Sequence, residues 1–205
     1  ELGWDYEIIL AENGSRDGTL RVLRELSSER PRIRFLHEAE PNYGKALKRG
    51  ILEARGETVI CDEIDLCDVG FYLRALPILG EGADLVIGSK AMKGANDARP
   101  LVRRLATRVI TVLLRLITGF KGTDTHGLKA FKRERLEEVA RACVVDRDLF
   151  ASELVIRAQR MGRDVREIPI ALRERRPPST ALLRRVPQVL KGLIALGWAI
   201  RVRYR

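Results

Sequence analysis

The chain is poor in aromatic residues, which make up only 5% of its 205 positions. That leaves few platforms on which bases could stack, and no recognised nucleic-acid-binding motif accompanies them, so no nucleic-acid partner is expected. Its three cysteines, Cys61, Cys67 and Cys143, do not make a zinc site: the first two stand close together, with no second close pair. They read as reduced thiols of a cytosolic protein. No repeat and no low-complexity tract occurs. The chain starts at Glu1, with no charged n-region and apolar signal segment behind it. A spanning helix needs about 20 predominantly apolar residues. The nearest candidate, after Pro177-Pro178, is interrupted by Gln188 and Lys191 and reads better as a surface-lying amphipathic helix.

What the chain does have is positive charge. Lys and Arg number 38 against 28 Asp and Glu, a net charge of +10. This favours anionic partners such as nucleotides, phospholipid head groups or nucleic acid, without choosing among them. The hydrophobic share of 45% and the length fit one ordinary domain with a real core.

Strand and helix patterns alternate along the chain. A short buried strand over Glu7–Ala11 runs into the turn "ENGSRDG". Leu20, Leu23 and Leu26 follow at helical spacing. "RIRFLHEAE" is a second strand. "NYGKALKRGILEARG" is a helix, with Gly56 as its stop. After the strand "TVIC", "FYLRALPIL" reads as a short helix ended by Pro77, and "ADLVIGSK" as a strand. In "RPLVRRLATRVITVLLRLITG", the strongest helical signal, Leu101, Leu105, Val109, Val112 and Leu116 form an apolar stripe, with Arg103, Arg104, Arg108 and Arg115 elsewhere. "GLKAFKRERLEEVA" gives a strand and a helix, "SELVIRAQRMG" a helix and "VREIPIALRER" a late strand. The alternation argues for an α/β domain with a largely parallel sheet over residues 1–176, followed by a basic amphipathic helix over 177–205.

The acidic stretch "CDEIDLCD" interrupts this pattern. The apolar strand Thr58-Val59-Ile60-Cys61 stops at four carboxylates, Asp62, Glu63, Asp65 and Asp68. In open α/β sheets ligands bind beyond the carboxyl ends of the strands. Two carboxylates two residues apart, as in Glu63-Ile64-Asp65, can face one hard cation, Mg²⁺ or Mn²⁺, together with the phosphates of a substrate. Taken alone, the triplet reads equally as a solvated acidic loop.

It does not stand alone. "EIILAENGSRDGT", "GKALKRGILEARGETVICDEID", "ADLVIGSK" and "GLKAF", in this order, resemble the inverting family-2 glycosyltransferases, in particular their polyprenyl-phosphate sugar synthase branch. The likeness runs from about Tyr6 to about Arg173. It implies a glycosyltransferase A-type, Rossmann-like fold that binds a nucleotide diphospho-sugar through Mg²⁺ or Mn²⁺. Glu63-Ile64-Asp65 occupies the place of the family's Asp-x-Asp motif, which makes Glu63 and Asp65 the implied metal ligands, with Asp62 able to substitute or to contact the nucleotide. The resemblance also gives the nucleotide the loop Glu12-Asn13-Gly14-Ser15, and Lys45. Lys90, in "GSK", and Arg99 are implied as cations that hold phosphate charge, with Asp65 the third catalytic position; Arg103 falls where a Ser is common. The family's additional first strand, with a Pro-x-x-Asn-Glu-like turn, finds no counterpart before Glu7.

The expected activity is metal-dependent inverting transfer, with a polyprenyl phosphate at the cytoplasmic membrane surface as acceptor. Such an acceptor is already ionised and needs no strong base. A hydroxyl acceptor would need one, for which Asp124 and Glu153 are candidates; His126 reads as structural. The Glu63 replacement and the absent strand keep open a noncatalytic scaffold. For the final helix two readings stand. Val186, Val189, Leu190, Leu193, Ile194, Leu196, Trp198 and Ile200, flanked by Arg184, Arg185, Arg201, Arg203 and Arg205, either pack on the domain's own core or lie on an anionic leaflet, where each nearby basic residue contributes roughly 1 kcal/mol.

Overall fold

A computed structural model describes residues 3–64, 66–172 and 182–201, and the side chains of all of these except 182–186. Asp65 and the boundary expected at 176/177 lie outside the described residues.

Strand β1 (Ile8–Asn13) and strand β2 (Ile33–Glu38) pair in parallel, from Ile8 opposite Ile33 to Asn13 opposite Glu38. Helix α1 (Thr19–Glu29) connects them and buries Leu23, the middle of the expected stripe. Strand β1 is less buried than its apolar sequence implies: Ile8 and Ala11 are exposed, and only Glu12 is buried. Its one hydrogen-bonded neighbour among the described residues is β2.

Helix α2 (Tyr43–Glu53) packs across β1, β2 and the next strand, β3 (Thr58–Cys61). Asn42 caps it, accepting from the Lys45 N–H at 3.0 Å. The helix stops before the expected Gly56. Ala54 is already extended, and Glu7 of the β1 approach takes the Arg55 N–H at 2.6 Å.

Helix α3 (Val69–Gly80) runs through Pro77 instead of ending there. A helix-interior proline costs about 3 kcal/mol. Here the last turn carries the buried Leu79, which packs with Phe71 and Ala75. Burying such a side chain returns about 1.5–3 kcal/mol.

Strand β4 (Leu85–Ser89) leads through the short strand β5 (Asn96–Asp97) to helix α4 (Leu101–Thr118), which Gly119 closes in a left-handed conformation, φ +75°. Strand β6 (Lys129–Lys132), helix α5 (Arg133–Ala142), a 3-10 turn at Arg147–Leu149 and helix α6 (Phe150–Arg160) follow. Strands β7 (Val165–Pro169) and β8 (Ala171–Leu172) and helix α7 (Leu182–Arg201) complete the described elements.

The four-stranded sheet has the order β3-β6-β4-β7. Pairing is parallel in β1–β2, β4–β7 and β5–β8, but β6 runs against both its neighbours. The period-2 alternation of strand side chains divides the core into two layers. Leu85, Ile87 and Phe131 face α4, α5, α6 and α7; Val86 and Ala130 face α3.

The two long amphipathic helices place their apolar residues differently. The stripe Leu101, Leu105, Val109, Val112 and Leu116 of α4 faces solvent, and the helix meets the core through Leu114 with Ile110, Leu113 and Ile117. Helix α7 buries Leu193, Leu196 and Ile200 in the same core, while Leu190, Ile194 and Trp198 remain exposed. No helix among the described residues is long and apolar enough to cross a membrane.

Candidate functional site

Three chain segments meet at one rim of the four-stranded sheet. Strands β3 and β4 leave the sheet there, at Cys61-Asp62-Glu63 and Ser89-Lys90. Because β6 is antiparallel to both, the segment Thr123–Leu128 arrives at the same rim. Lys129 lies opposite Cys61 on one side and Ile87 on the other. The closure is tight: a Cβ on Gly127 would lie 1.7 Å from the Gly88 carbonyl oxygen. A small cavity opens at this rim, lined by Tyr43, Cys61, Asp62, Glu63, His126 and Lys129.

The carboxylates of the acidic loop divide into different tasks. Asp62 accepts from the Glu63 N–H at 2.7 Å, from the Asp68 N–H at 3.2 Å and from the Tyr72 hydroxyl. That hydrogen bond and burial push the Tyr72 phenol upward, burial being the larger effect. Asp68 caps α3 through the Phe71 N–H at 3.0 Å. Both residues therefore shape the loop, and Asp62, expected at the nucleotide, also lines the cavity. Cys67 between them is held at φ +46°, a backbone region that non-glycine residues rarely adopt outside functional or tightly constrained loops. Glu63 is exposed and stands 3.4 Å from the Tyr43 hydroxyl.

Among the described residues no three acidic, His or Cys side chains form a cation cage. Mg²⁺ does not need one, since it is commonly held by one or two carboxylates plus substrate phosphates and water. Glu63, a hard oxygen donor exposed at a strand end, fits a metal bound jointly with a diphosphate.

Behind the acidic loop lies a polar network that spacing does not reveal. Lys90 Nζ pairs with Asp124 Oδ2 at 2.6 Å, and the His126 N–H donates to Asp124 Oδ1 at 2.9 Å. Burial pushes the Asp124 carboxyl up, but the Lys90 charge and these hydrogen bonds outweigh it and hold its pKa below the usual range. Glu167 of β7 ties the segment down, accepting from the Thr123 and Asp124 N–H groups at 2.8 and 3.1 Å and from the Thr123 hydroxyl at 2.7 Å. Lys129, buried, donates to the Gly127 carbonyl at 2.7 Å, and burial lowers its pKa.

His126 has both ring nitrogens engaged, Nε2 with the Asp148 carbonyl at 2.9 Å and Nδ1 with the Thr125 hydroxyl at 3.1 Å. Part of the residue reaches solvent, yet the protein packed around the ring, followed by the Lys90 charge, pushes its pKa down to about 4.

Arg99 sits at the start of α4 in a bidentate pair with Asp97, at 2.9 and 2.8 Å, and reaches Thr107 at 3.2 Å. Lys90 and Arg99, expected as cations that hold phosphate charge, are both mostly buried and each paired with a carboxylate of its own. The Asp97–Arg99 spacing is visible in the sequence; the partner of Lys90, 34 residues away, is not.

The expected nucleotide loop leaves β1 at the same end of the molecule as its partner strand ends. Glu12 is buried, accepts from the Ser15 N–H and pairs with His37; burial raises its pKa, but these bonds prevail and lower it. Asn13 Oδ1 accepts the Asn42 N–H at 2.5 Å, joining the loop to the start of α2. Gly14 adopts φ +71°, and a Cβ there would come within 2.7 Å of the Pro41 nitrogen. Lys45 pairs with Glu38 at 3.1 Å and is largely exposed. Glu153 is remote in role: fully buried, it pairs with Arg157 at 2.6 Å and accepts the Val144 and Val145 N–H groups, which fixes the turn after α5.

Comparison with known proteins gives this geometry a context. Residues 3–140 match the model of "Glycosyl transferase family 2". The chain is 31% identical over 205 residues to Glycosyltransferase AglD of Haloferax volcanii, covering 98% of this chain and 33% of that protein. It is 29% identical over 181 residues to Dolichyl-phosphate beta-glucosyltransferase ALG5C of Trichomonas vaginalis, covering 82% of this chain and 53% of the relative. The chain thus spans between a third and about half of these relatives. Among solved structures, glucosyl-3-phosphoglycerate synthase from Mycobacterium tuberculosis, in complex with Mn²⁺, UDP-glucose and glycerol 3-phosphate, superposes with a TM-score of 0.60 at 20% identity. The match covers 94% of this chain and 68% of that one, a likeness of fold.

Proposed function

Because this chain belongs to glycosyl transferase family 2, we propose that it transfers a sugar, with inversion, from a nucleotide diphospho-sugar to a polyprenyl phosphate at the cytoplasmic membrane surface. The observation that carries the reading is the rim itself. An acidic loop at the end of β3 faces the segment Thr123–Leu128 across a cavity at the carboxyl ends of β3 and β4. The names of the relatives, one of which acts on dolichyl phosphate, support the acceptor class; the Mn²⁺ of the structural neighbour supports a divalent ion.

Glu63, with Asp65, would hold Mg²⁺ or Mn²⁺. When bound, the ion supplies neutralisation of the charge that develops on the departing diphosphate. The Glu12–Ser15 loop and Lys45 are proposed to border the nucleotide. The acceptor oxygen attacks the anomeric carbon, the bond from that carbon to the diphosphate oxygen breaks, and the nucleoside diphosphate leaves with the electron pair. Lys90 and Arg99 are proposed as positioning residues that, through their pairs with Asp124 and Asp97, hold the rim and the start of α4 in shape.

The state of the candidate bases favours a phosphate over a hydroxyl acceptor. Asp124 has both oxygens in hydrogen bonds, His126 has both nitrogens engaged, and Glu153 is locked in a buried pair. A lipid phosphate is already ionised and requires none of them.

The test is turnover. The 205-residue chain is incubated with a panel of nucleotide sugars and Mn²⁺, with either a polyprenyl phosphate or soluble sugars as acceptor, and released nucleoside diphosphate is measured. Release that depends on the lipid phosphate is expected. Release with soluble sugars alone would overturn the acceptor assignment.

A further inference from the structure

The outward-facing stripe of α4 has no partner among the described residues. Leu101 is 76% exposed, Leu116 71% and Leu105 62%, and Val109 and Val112 lie between them on the same face. Helix α7 offers a second exposed apolar row, Leu190, Ile194 and Trp198, with Ile194 at 74% and Trp198 at 59%. The α4 row repeats at spacings of three and four and the α7 row at four, so each is one continuous helix face.

The two helices adjoin. Gly197 of α7 lies so close to Ile117 of α4 that a Cβ would meet it at 2.7 Å. Arg201 at the end of α7 donates to the Leu116 carbonyl at 3.3 Å. The exposed end of one apolar row is therefore joined to the other.

The charge carried by the two helices themselves has one sign. Neither α4 nor α7 contains an Asp or Glu, in a chain with 28 of them. Arg108 and Arg115 flank the α4 stripe on one side and are exposed, as are Lys191 and Arg201 beside the α7 row. Long basic side chains can lay their stems on an apolar surface and keep their charge among head groups.

We infer that α4 and α7 together form one docking surface, which lies on an anionic lipid bilayer. The charge pattern selects this occupant. A second copy meeting the same face by two-fold symmetry would set arginines against arginines, with no acid on either helix to offset them. An anionic interface offers hydrocarbon to Leu101, Leu105, Leu116, Ile194 and Trp198, and phosphate to the flanking bases. The Thr111 hydroxyl of α4 donates to the Thr123 carbonyl of the rim segment at 3.4 Å, so a surface that includes α4 lies next to the rim. The inference deepens the membrane reading proposed above, and rests on it for the acceptor but not for the binding.

Two double variants test the surface: Leu105→Asp with Leu116→Asp in α4, and Ile194→Asp with Trp198→Asp in α7. All four side chains are exposed, so unchanged circular dichroism and melting are expected. Co-sedimentation uses phosphatidylcholine vesicles with and without phosphatidylserine, free of polyprenyl phosphate and nucleotide sugar. The intact chain should bind the anionic vesicles, with binding that weakens in salt, and each double variant should bind at least about tenfold less. Full binding by the α4 variant would return any membrane contact to α7 alone and overturn the joint surface. So would a dimer, seen by sedimentation velocity, that the variants dissociate. Retained vesicle binding together with transfer only to soluble sugars would remove the lipid acceptor and leave the surface standing.

Discussion

Lys90 Nζ and Asp124 Oδ2 meet at 2.6 Å across the rim of the sheet, with only 8% and 2% of the two side chains exposed. The pair joins the end of β4 to the segment that feeds β6, and so sets the spacing of the cavity wall. Removing one partner of a buried pair typically costs about 3–5 kcal/mol, because the other charge is left without compensation.

Asp124→Asn is therefore expected to lower stability by about that amount. The pH dependence has a definite sign. The Asp124 pKa is depressed in the fold, so its contribution is complete above the ordinary Asp value of about 4 and is lost as pH falls through the lower folded value. Denaturant midpoints of the native protein and the variant, compared from neutral to acidic pH, should differ by a constant amount and then converge on acidification. A gap unchanged across the acid range would show that the carboxylate charge is not what stabilises the pair.

The acidic loop separates metal binding from loop shape. Glu63→Gln should weaken Mn²⁺-dependent binding of a nucleoside diphosphate at least about tenfold with no change in melting, because its carboxylate is exposed. Asp65→Asn is expected to act in the same way. Asp62→Ala removes the acceptor shared by the Glu63 and Asp68 N–H groups and Tyr72, and should destabilise the protein by about 1–3 kcal/mol. Calorimetry and melting of the variants measure both quantities. Equal metal-dependent affinity in Glu63→Gln and the native chain would remove Glu63 from the ligand set.

Much of the framework is legible in the residue pattern alone, and where the pattern fails the causes are physical. The strands from Thr58 and Leu85 and the helices from Tyr43 and Leu101 stand where the hydrophobic period sets them, the first of these helices with Asn42 as its cap. Gly56 and Pro77 mislead because a distant Glu7 captures the helix end in one case and core burial of Leu79 outweighs proline in the other. Periodicity defines the apolar stripe of α4 but carries no information about what the stripe faces. The acidic loop marks the site, while the partners of Glu12 and Lys90 stand 25 and 34 residues away in sequence and come together only through the topology. Lys129 lies within the motif "GLKAF", yet its place between β3 and β4 depends on the antiparallel course of β6.

Glu153 offers a contrast with the rim. Glu153→Ala leaves Arg157 buried without its carboxylate and the Val144 and Val145 N–H groups without their acceptor. A loss of about 3–5 kcal/mol is expected, read from chemical denaturation. At a temperature where the variant is still folded, its nucleoside diphosphate affinity should equal that of the native chain. A selective loss of nucleotide or acceptor binding with stability intact would return Glu153 to the site.

The closure of the rim depends on one missing methyl group. Gly127 has no positive φ, so alanine is compatible with its backbone; the obstacle is the Gly88 carbonyl oxygen, 1.7 Å from where a Cβ would be. That oxygen belongs to β4 and cannot swing aside as a long side chain could, so the two segments must separate. Gly119 presents the opposite case: φ is +75° and no atom lies within 4 Å of an added methyl, so alanine there meets only the backbone cost of about 1 kcal/mol. Gly127→Ala is expected to cost more than Gly119→Ala, by about 1–3 kcal/mol, as overpacking does. It should also weaken nucleoside diphosphate binding, because parting β4 from the β6 approach moves Lys90 and Asp124 with it. Urea midpoints and calorimetry on the two variants make the comparison. Equal stability losses, or full nucleotide affinity in Gly127→Ala, would mean that the rim tolerates an opening that its packing forbids.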